Sequence, residues 1–355
     1  MGKEQGMDQE YYADNVIVFD ERRLDRTGQA DNDCCGAQGA LCSEVDTDGF
    51  RDSGTVSGNE KTSSRDRRPE RTGTRSKHSM RTNSGMRVIA ITSGKGGVGK
   101  TNIVANLGYA LSQLGERVLI LDADLGLGNL DILLGITPKY NLSHVVEREK
   151  TLSEIAVEGP GEMYILPAAS GIQEVTQLTQ EQRQRLLDEL HLYTDSIDVL
   201  LIDTAAGISS NVMCFNSAAH EVMVVVSPEP TSITDAYALM KVLSMKYGSK
   251  DFRLLVNMVS STEEAYDVYR QLKLVAGRFL DITIDYLGYV LSDKNVPRCV
   301  RRQKVVSELF PASQASQCFY ALARKITSPS SPPGRKKSQE DFWNSLLQEN
   351  RDKHS

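Results

Sequence analysis

Residues 88–114 read VIAITSGKGGVGKTNIVANLGYALSQL, and this stretch decides the fold. Val88–Thr92 is a short run rich in β-branched residues and apolar on both faces, which is how a strand inside a parallel sheet reads. From about Lys100 to Leu114, Ile103, Leu107, Ala110, Leu111 and Leu114 recur at three- and four-residue spacing and Gly115 follows, so the spacing predicts an amphipathic helix. Between strand and helix, Gly94-Lys95-Gly96-Gly97-Val98-Gly99-Lys100-Thr101 fits G-x-x-x-x-G-K-[ST]. Glycines let the backbone wind so tightly that successive N–H groups point at phosphate oxygens, and the positive end of the helix dipole lies beside them. Lys100 is expected to pair with the β- and γ-phosphates of a nucleotide, Thr101 to ligate magnesium, and Asn102 to lie against the same ligand.

The same alternation runs outward to about Ile326. Further strands are read at Val118–Leu121, Val199–Ile202, Val222–Val226 and Leu254–Val256, with helices at roughly 179–192, 232–246, 262–277 and 313–326. This predicts an α/β fold: a mostly parallel twisted sheet covered by helices on both faces. Two carboxylate positions close buried strands, at the sheet edge where such folds bind ligands. Asp203 follows Leu200-Leu201-Ile202, as expected of an acid that holds magnesium, and Asp122-Ala123-Asp124 follows Leu119-Ile120-Leu121, with Asp122 counted beside Thr101 and Asp203 in the expected metal set. Phosphoryl transfer to water needs a group that orients the attacking water, and either Asp122 or Asp124 suits that role. The plainer reading is that these residues cap the following turns.

Composition limits what else the chain does. Its 355 residues are 40% apolar and 25% charged, ordinary for a globular protein and unlike collagenous or coiled-coil chains. A formal charge of -6 argues against a dedicated DNA or RNA binder, although a local basic face remains compatible with it. Cys34, Cys35, Cys42, Cys214, Cys299 and Cys318 form no C-x-x-C pair, so free thiols and a cytoplasmic location are expected. No apolar stretch suggests a secretory leader, and none approaches the ~20 residues of a membrane span, so any membrane contact is expected to be peripheral.

Residues 1–86 are poor in hydrophobic periodicity and are expected to form a mostly disordered, charged extension. Its charge is divided, net -9 over residues 1–60 and net +6 over residues 61–86; the basic run reads as a solvated linker or as a contact for an acidic partner. Residues 87–327 form the expected domain. Residues 328–355 open with Ser328-Pro-Ser-Ser-Pro-Pro-Gly334 and carry a short amphipathic helix with Phe342, Trp343, Leu346 and Leu347 on one side. That helix suits either an anchor at the inner face of the cell membrane or packing against the domain or a partner.

Lys95 adds a further signature. With it the loop reads K-G-G-V-G-K-T and resembles the deviant Walker A motif of the MinD/ParA ATPases. In that family the early lysine reaches the phosphates of a second copy, which implies that Lys95, Lys100 and Asp124 are the catalytic set. Leu121–Asp131 looks like the family's first switch, with Asp124 as the catalytic aspartate, and Asp203-Thr-Ala-Ala-Gly207 looks like the second. Within the family the chain is most similar to the flagellar-number regulators FlhG and FleN, through Pro138–His144, Ile165–Gly171, Asp203–Ser209, Pro228–Tyr237 and Leu255–Val259. The resemblance implies that Asn257 recognises adenine, with Asp293 on the other side of the base. A side-chain amide, which donates and accepts at once, suits a base edge; the bland role for Asn257 is a loop cap. One departure stands out: Asp8-Gln9-Glu10 is followed by Ala13-Asp14, not by the Leu-Arg of the FlhG motif that stimulates the GTPase FlhF.

The expected function is therefore slow hydrolysis of ATP with magnesium by an ATP-dependent homodimer. As the resemblance implies, it would govern flagellar number and placement through an FlhF-type GTPase, flagellar switch proteins or a flagellar transcription activator. The rivals are a division-site selector of the MinD kind, a ParA-like partitioning ATPase that binds DNA, and a nucleotide-binding scaffold without turnover. An iron–sulfur carrier is disfavoured by the missing cysteine pair.

Overall fold

The computed structural model describes residues 86–124, 128–167, 179–328 and 338–348. The chain divides into two units, Met1–Arg81 and Thr82–Ser355. The expectation of disorder over residues 1–86 falls almost wholly outside the described residues, as do Cys34, Cys35 and Cys42 and most of the Pro-rich stretch after Ser328.

Strand β1 (Arg87–Ser93) is the centre of an eight-stranded sheet ordered β3-β4-β2-β5-β1-β6-β7-β8. Its neighbours are β5 (Val199–Ala206) and β6 (Glu221–Val226), both parallel to it. β2 (Val118–Ala123) lies beyond β5, and β7 (Asp251–Val259) beyond β6. The continuous apolar runs read from the sequence are these five strands, buried on both faces because helices cover both sides. Three strands were not among those read. β4 (Tyr164–Pro167) is short, the two-residue β3 (Val157–Glu158) pairs antiparallel with it, and β8 (Thr283–Leu291) is an edge strand whose register shifts near Gly288. β3 and β8 are half-solvated edges, and β4, between β3 and β2, has only four residues and ends at Pro167, so none carries the uninterrupted apolar run that marks a long interior strand.

The long helices fall where the periodicity puts them: α1 (Lys100–Gln113), α5 (Gln180–Thr194), α7 (Pro230–Tyr247), α8 (Thr262–Phe279) and α11 (Gln314–Thr327). Shorter helices α2 (Leu130–Leu134), α3 (Leu142–Val146), α4 (Leu152–Ile155), α6 (Ser210–Ala218), α9 (Asn295–Val300) and α10 (Val306–Leu309) sit in connections. α1 and α11 bury Ile103, Leu107, Phe319 and Leu322 in one core, whereas α7 and α8 bury Leu239, Met240, Val268 and Leu272 in another.

The tail helix α12 (Gln339–Gln348) takes the packed form of the two expected. Phe342, Trp343 and Leu346 are buried in a third core with Leu186 and Leu190 of α5 and Phe215 of α6. The two rings meet edge to face at 4.6 Å between centroids. Ser338 and Asp341 bond reciprocally at the start of this helix. No helix among the described residues is long and apolar enough to cross a membrane, and Cys214, Cys299 and Cys318 are in no disulfide.

The strand order places the C-terminal ends of β1, β2 and β5 side by side. Asp122 and Asp203 are direct register partners across β2 and β5, and Asp203 is also opposite Ile91 of β1. Both carboxylates and the glycine-rich loop therefore share one edge of the sheet.

Candidate nucleotide-binding site

The loop after β1 winds back onto α1 as its composition requires. A side chain at Gly94 would place its Cβ 2.2 Å from the backbone of Asp235 in α7, so only glycine lets the two segments meet. Gly99, the residue before α1, has φ 86°, and a Cβ there would lie 2.5 Å from Asn257 Nδ2. Asn257, near the end of β7, uses that amide to donate to the carbonyl of Val98 at 2.8 Å. The amide thus ties the end of β7 to the phosphate loop.

Beside the loop is an open cleft of about 460 Å³, lined by Ser93, Gly96–Asn102, Asp124, Asn129, Ile132, Leu133, Ala206, Val300 and Gln303. Its size is that of a small-molecule site. Of the residues read from the sequence, Gly96, Gly97, Val98, Gly99, Lys100, Thr101, Asn102 and Asp124 line it together. Gly94, Lys95, Asp122, Asp203, Asn257 and Asp293 do not. Asp293 accepts from the backbone N–H groups of Asn295 and Ala315, at 2.8 and 3.2 Å, so its carboxylate holds the entry to α9 and the start of α11. The Lys95 side chain turns outward and its ammonium bonds Glu229 and Thr231 of the same chain.

Lys100 is buried and its ammonium lies 3.4 Å from Asp203 Oδ1. The Thr101 hydroxyl also bonds Asp203. Burial nevertheless pushes the Asp203 carboxyl above its ordinary range, against the pull of Lys100 and Thr101. Burial and then the Asp203 charge push Asp122 up to about 7, although N–H groups of Asp124 and Leu130 donate to it. Two carboxylates that both resist ionisation beside a hydroxyl are what a hard, oxygen-seeking cation relieves. Among the described residues no group of three or more acidic, His or Cys side chains forms a ready-made metal cage. Magnesium is commonly bound by one or two carboxylates together with substrate phosphates and water.

Sequence reading missed Ser93, Asn129, Ile132, Leu133, Ala206, Val300 and Gln303 as lining residues and Glu229 as the partner of Lys95. Gln303 has no local signal, because it joins a wall 171 residues away. Glu229 lies inside Pro228–Tyr237, a stretch that carries the family resemblance but suggests no role by spacing alone.

A family model described as an AAA domain matches residues 86–252. The chain is 47% identical over 252 residues to the antiactivator FleN of Pseudomonas aeruginosa, an alignment that covers 70% of this chain and 90% of that one. It is 35% identical over 242 residues to the flagellum site-determining protein YlxH of Helicobacter pylori, covering 68% and 81%. Among solved structures it resembles the septum site-determining protein MinD of Pyrococcus horikoshii, complexed with Mg-ADP. There the TM-score is 0.52 and the identity 25%, with 68% of this chain and 96% of that one covered. The extent of these matches agrees with a phosphate loop between β1 and α1 and a pair of registered aspartates, and the chain belongs to the MinD/ParA family of P-loop ATPases, in the branch of FleN and YlxH.

Proposed function

We propose that the protein is a slow, partner-stimulated ATPase that closes into a homodimer with ATP and magnesium, and that this cycle regulates flagellar number and placement. The observation that carries this reading is the position of Lys95. It belongs to the phosphate loop, yet its ammonium faces away from the chain's own cleft and sits at the surface beside Glu229. A lysine so placed suits the phosphates of a second copy better than its own.

The chemistry is hydrolysis of ATP to ADP and phosphate. The loop N–H groups and Lys100 would hold the phosphates, and Thr101, Asp203 and Asp122 would hold magnesium, which supplies charge neutralisation when bound. Asp124, at the cleft wall, would orient the attacking water. Asn257 and Asp293 are assigned to the adenine end of the ligand. Loss of the terminal phosphate would let the segments after β2 and β5 relax, and so report the nucleotide state to a partner. As the family resemblance implies, that partner would be an FlhF-type GTPase, a flagellar switch protein or a flagellar transcription activator. Membrane contact through α12 would need Phe342, Trp343 and Leu346 to leave the core, and liposome flotation with and without ATP tests it.

The deciding experiment is sedimentation of Lys95→Ala with ATP. The variant is expected to bind ATP as a monomer and to lose ATP-dependent dimerisation. An unchanged dimer would overturn this reading.

A further inference from the structure

Helix α9 ends in a turn whose hydrogen bonds define a Schellman motif. Gln303 N–H donates to the Val300 carbonyl at 3.0 Å, and Lys304 N–H donates to the Cys299 carbonyl at 3.1 Å. The residue after the cap in such a turn is usually glycine, because it needs positive φ. Here it is Gln303, with φ 55°. A non-glycine residue in this conformation costs about 1–2 kcal/mol, so the side chain is the place to look for a reason.

That side chain reaches α2, whose Ile132 lines the cleft together with Gln303. Gln303 Nε2 donates to the carbonyl of Ile132 at 3.0 Å. Ile132 lies in α2, which ends in a second Schellman turn: Gly135 N–H donates to Ile132 and Ile136 N–H to Asp131. The two turns abut so closely that a Cβ on Gly135 would sit 3.1 Å from the Cβ of Gln303. The start of the same short helix is tied to the acidic cluster, since Leu130 N–H donates to Asp122, as does Asp124 N–H at 3.1 Å. One side-chain amide thus joins the α9 wall to the helix that fixes how Asp122 and Asp124 sit.

We propose that Gln303 is a positioning residue for hydrolysis: its amide clamps α2 against the turn that ends α9 and so sets Asp124 relative to the phosphate loop. This inference rests on the ATPase reading above. A merely structural role would predict that the favoured residue, glycine, serves as well or better.

The test compares the full-length wild type with Gln303→Gly, which removes the backbone strain and the clamp, and Gln303→Asn, which tolerates positive φ but is one methylene too short. ATP turnover, ATP affinity, thermal midpoint and amide hydrogen exchange over residues 128–136 are measured on each. Both variants are expected to keep their midpoint, to hold ATP within about threefold of wild type and to lose turnover by roughly tenfold, the scale set by misplacing a reacting group. Exchange over 128–136 is expected to quicken. Wild-type turnover in both variants, or a loss matched by equal loss of affinity or stability, overturns the proposal. If the wild type itself hydrolyses no ATP, the parent reading fails, and the clamp is judged by exchange alone: unchanged protection in both variants ends it.

Discussion

The ammonium of Lys95 lies 2.5 Å from Oε2 of Glu229 and 2.8 Å from Oγ1 of Thr231, all within one chain. In the proposed dimer that lysine must serve the second copy, so these contacts have to break first. The side chains are 36% and 62% exposed, which puts the pair among surface ion pairs worth at most about 1 kcal/mol. Two such pairs break per dimer, so Glu229→Gln is expected to tighten ATP-dependent dimerisation by no more than about thirtyfold. Sedimentation velocity over a protein dilution series measures it. A weaker dimer in Glu229→Gln would mean that the carboxylate acts across the interface instead.

The acidic pair predicts a pH dependence. Asp122 titrates at about 7 in the folded chain against 3.8 ordinarily, chiefly through burial and then through Asp203. A carboxyl whose folded value is raised gives no penalty below its unfolded value, and the fold loses stability as pH rises toward the folded value. Without nucleotide or magnesium, the loss between pH 4 and pH 7 is on the order of 4 kcal/mol. Asp122→Asn should therefore melt well above the wild type at pH 8, with the gap shrinking toward pH 4. Thermal melts in chelator at several pH values check it, and a gap that does not vary with pH would refute it.

Trp343 is the chain's sole tryptophan, and it is buried with a ring N–H that has no hydrogen-bond partner among the described residues. Its emission should be blue-shifted and poorly quenched by acrylamide while α12 is docked. Trp343→Ala is expected to cost about 3–5 kcal/mol of stability. Trp343→Phe should cost less, because it keeps most of the apolar contact and removes a buried donor that is left unpaired. Denaturant melts of the two variants give the comparison, and equal losses would show that the apolar contact a Phe ring keeps contributes nothing.

The parts legible in the sequence are those in which local pattern and final environment agree. Val88–Thr92 and Val199–Ile202 are apolar throughout because both faces are covered, and the loop after β1 has the composition that its winding demands. Asp203 and Asp122 were readable because a strand end determines a place on the sheet edge. Contacts between distant segments left no such trace. Gln303 meets Ile132, Lys95 meets Glu229, and Phe342 meets the face of α5 and α6 only after the sheet order is set. The tail could be read as amphipathic, but amphipathicity does not say what covers the apolar side.

Two neighbouring glycines separate what the loop does for the fold from what it does for the ligand. A Cβ on Gly94 would meet the Asp235 carbonyl carbon and oxygen at 2.2 Å and the Ala236 nitrogen at 2.7 Å, all of them backbone atoms that cannot rotate away. A Cβ on Gly96 meets nothing within 4 Å. Gly94→Ala must push the loop and α7 apart, so it is expected to cost about 1–3 kcal/mol, the range for overpacking. It should also weaken ATP binding by about tenfold or more, because the cradle N–H groups move with the loop. Gly96→Ala should leave the melting midpoint of the ligand-free protein unchanged, so any fall in affinity there reports on the cleft alone. Thermal melts and calorimetric ATP titration on the pair decide the matter: if Gly94→Ala melted and bound like wild type, the close approach of α7 to the phosphate loop would have no part in shaping it.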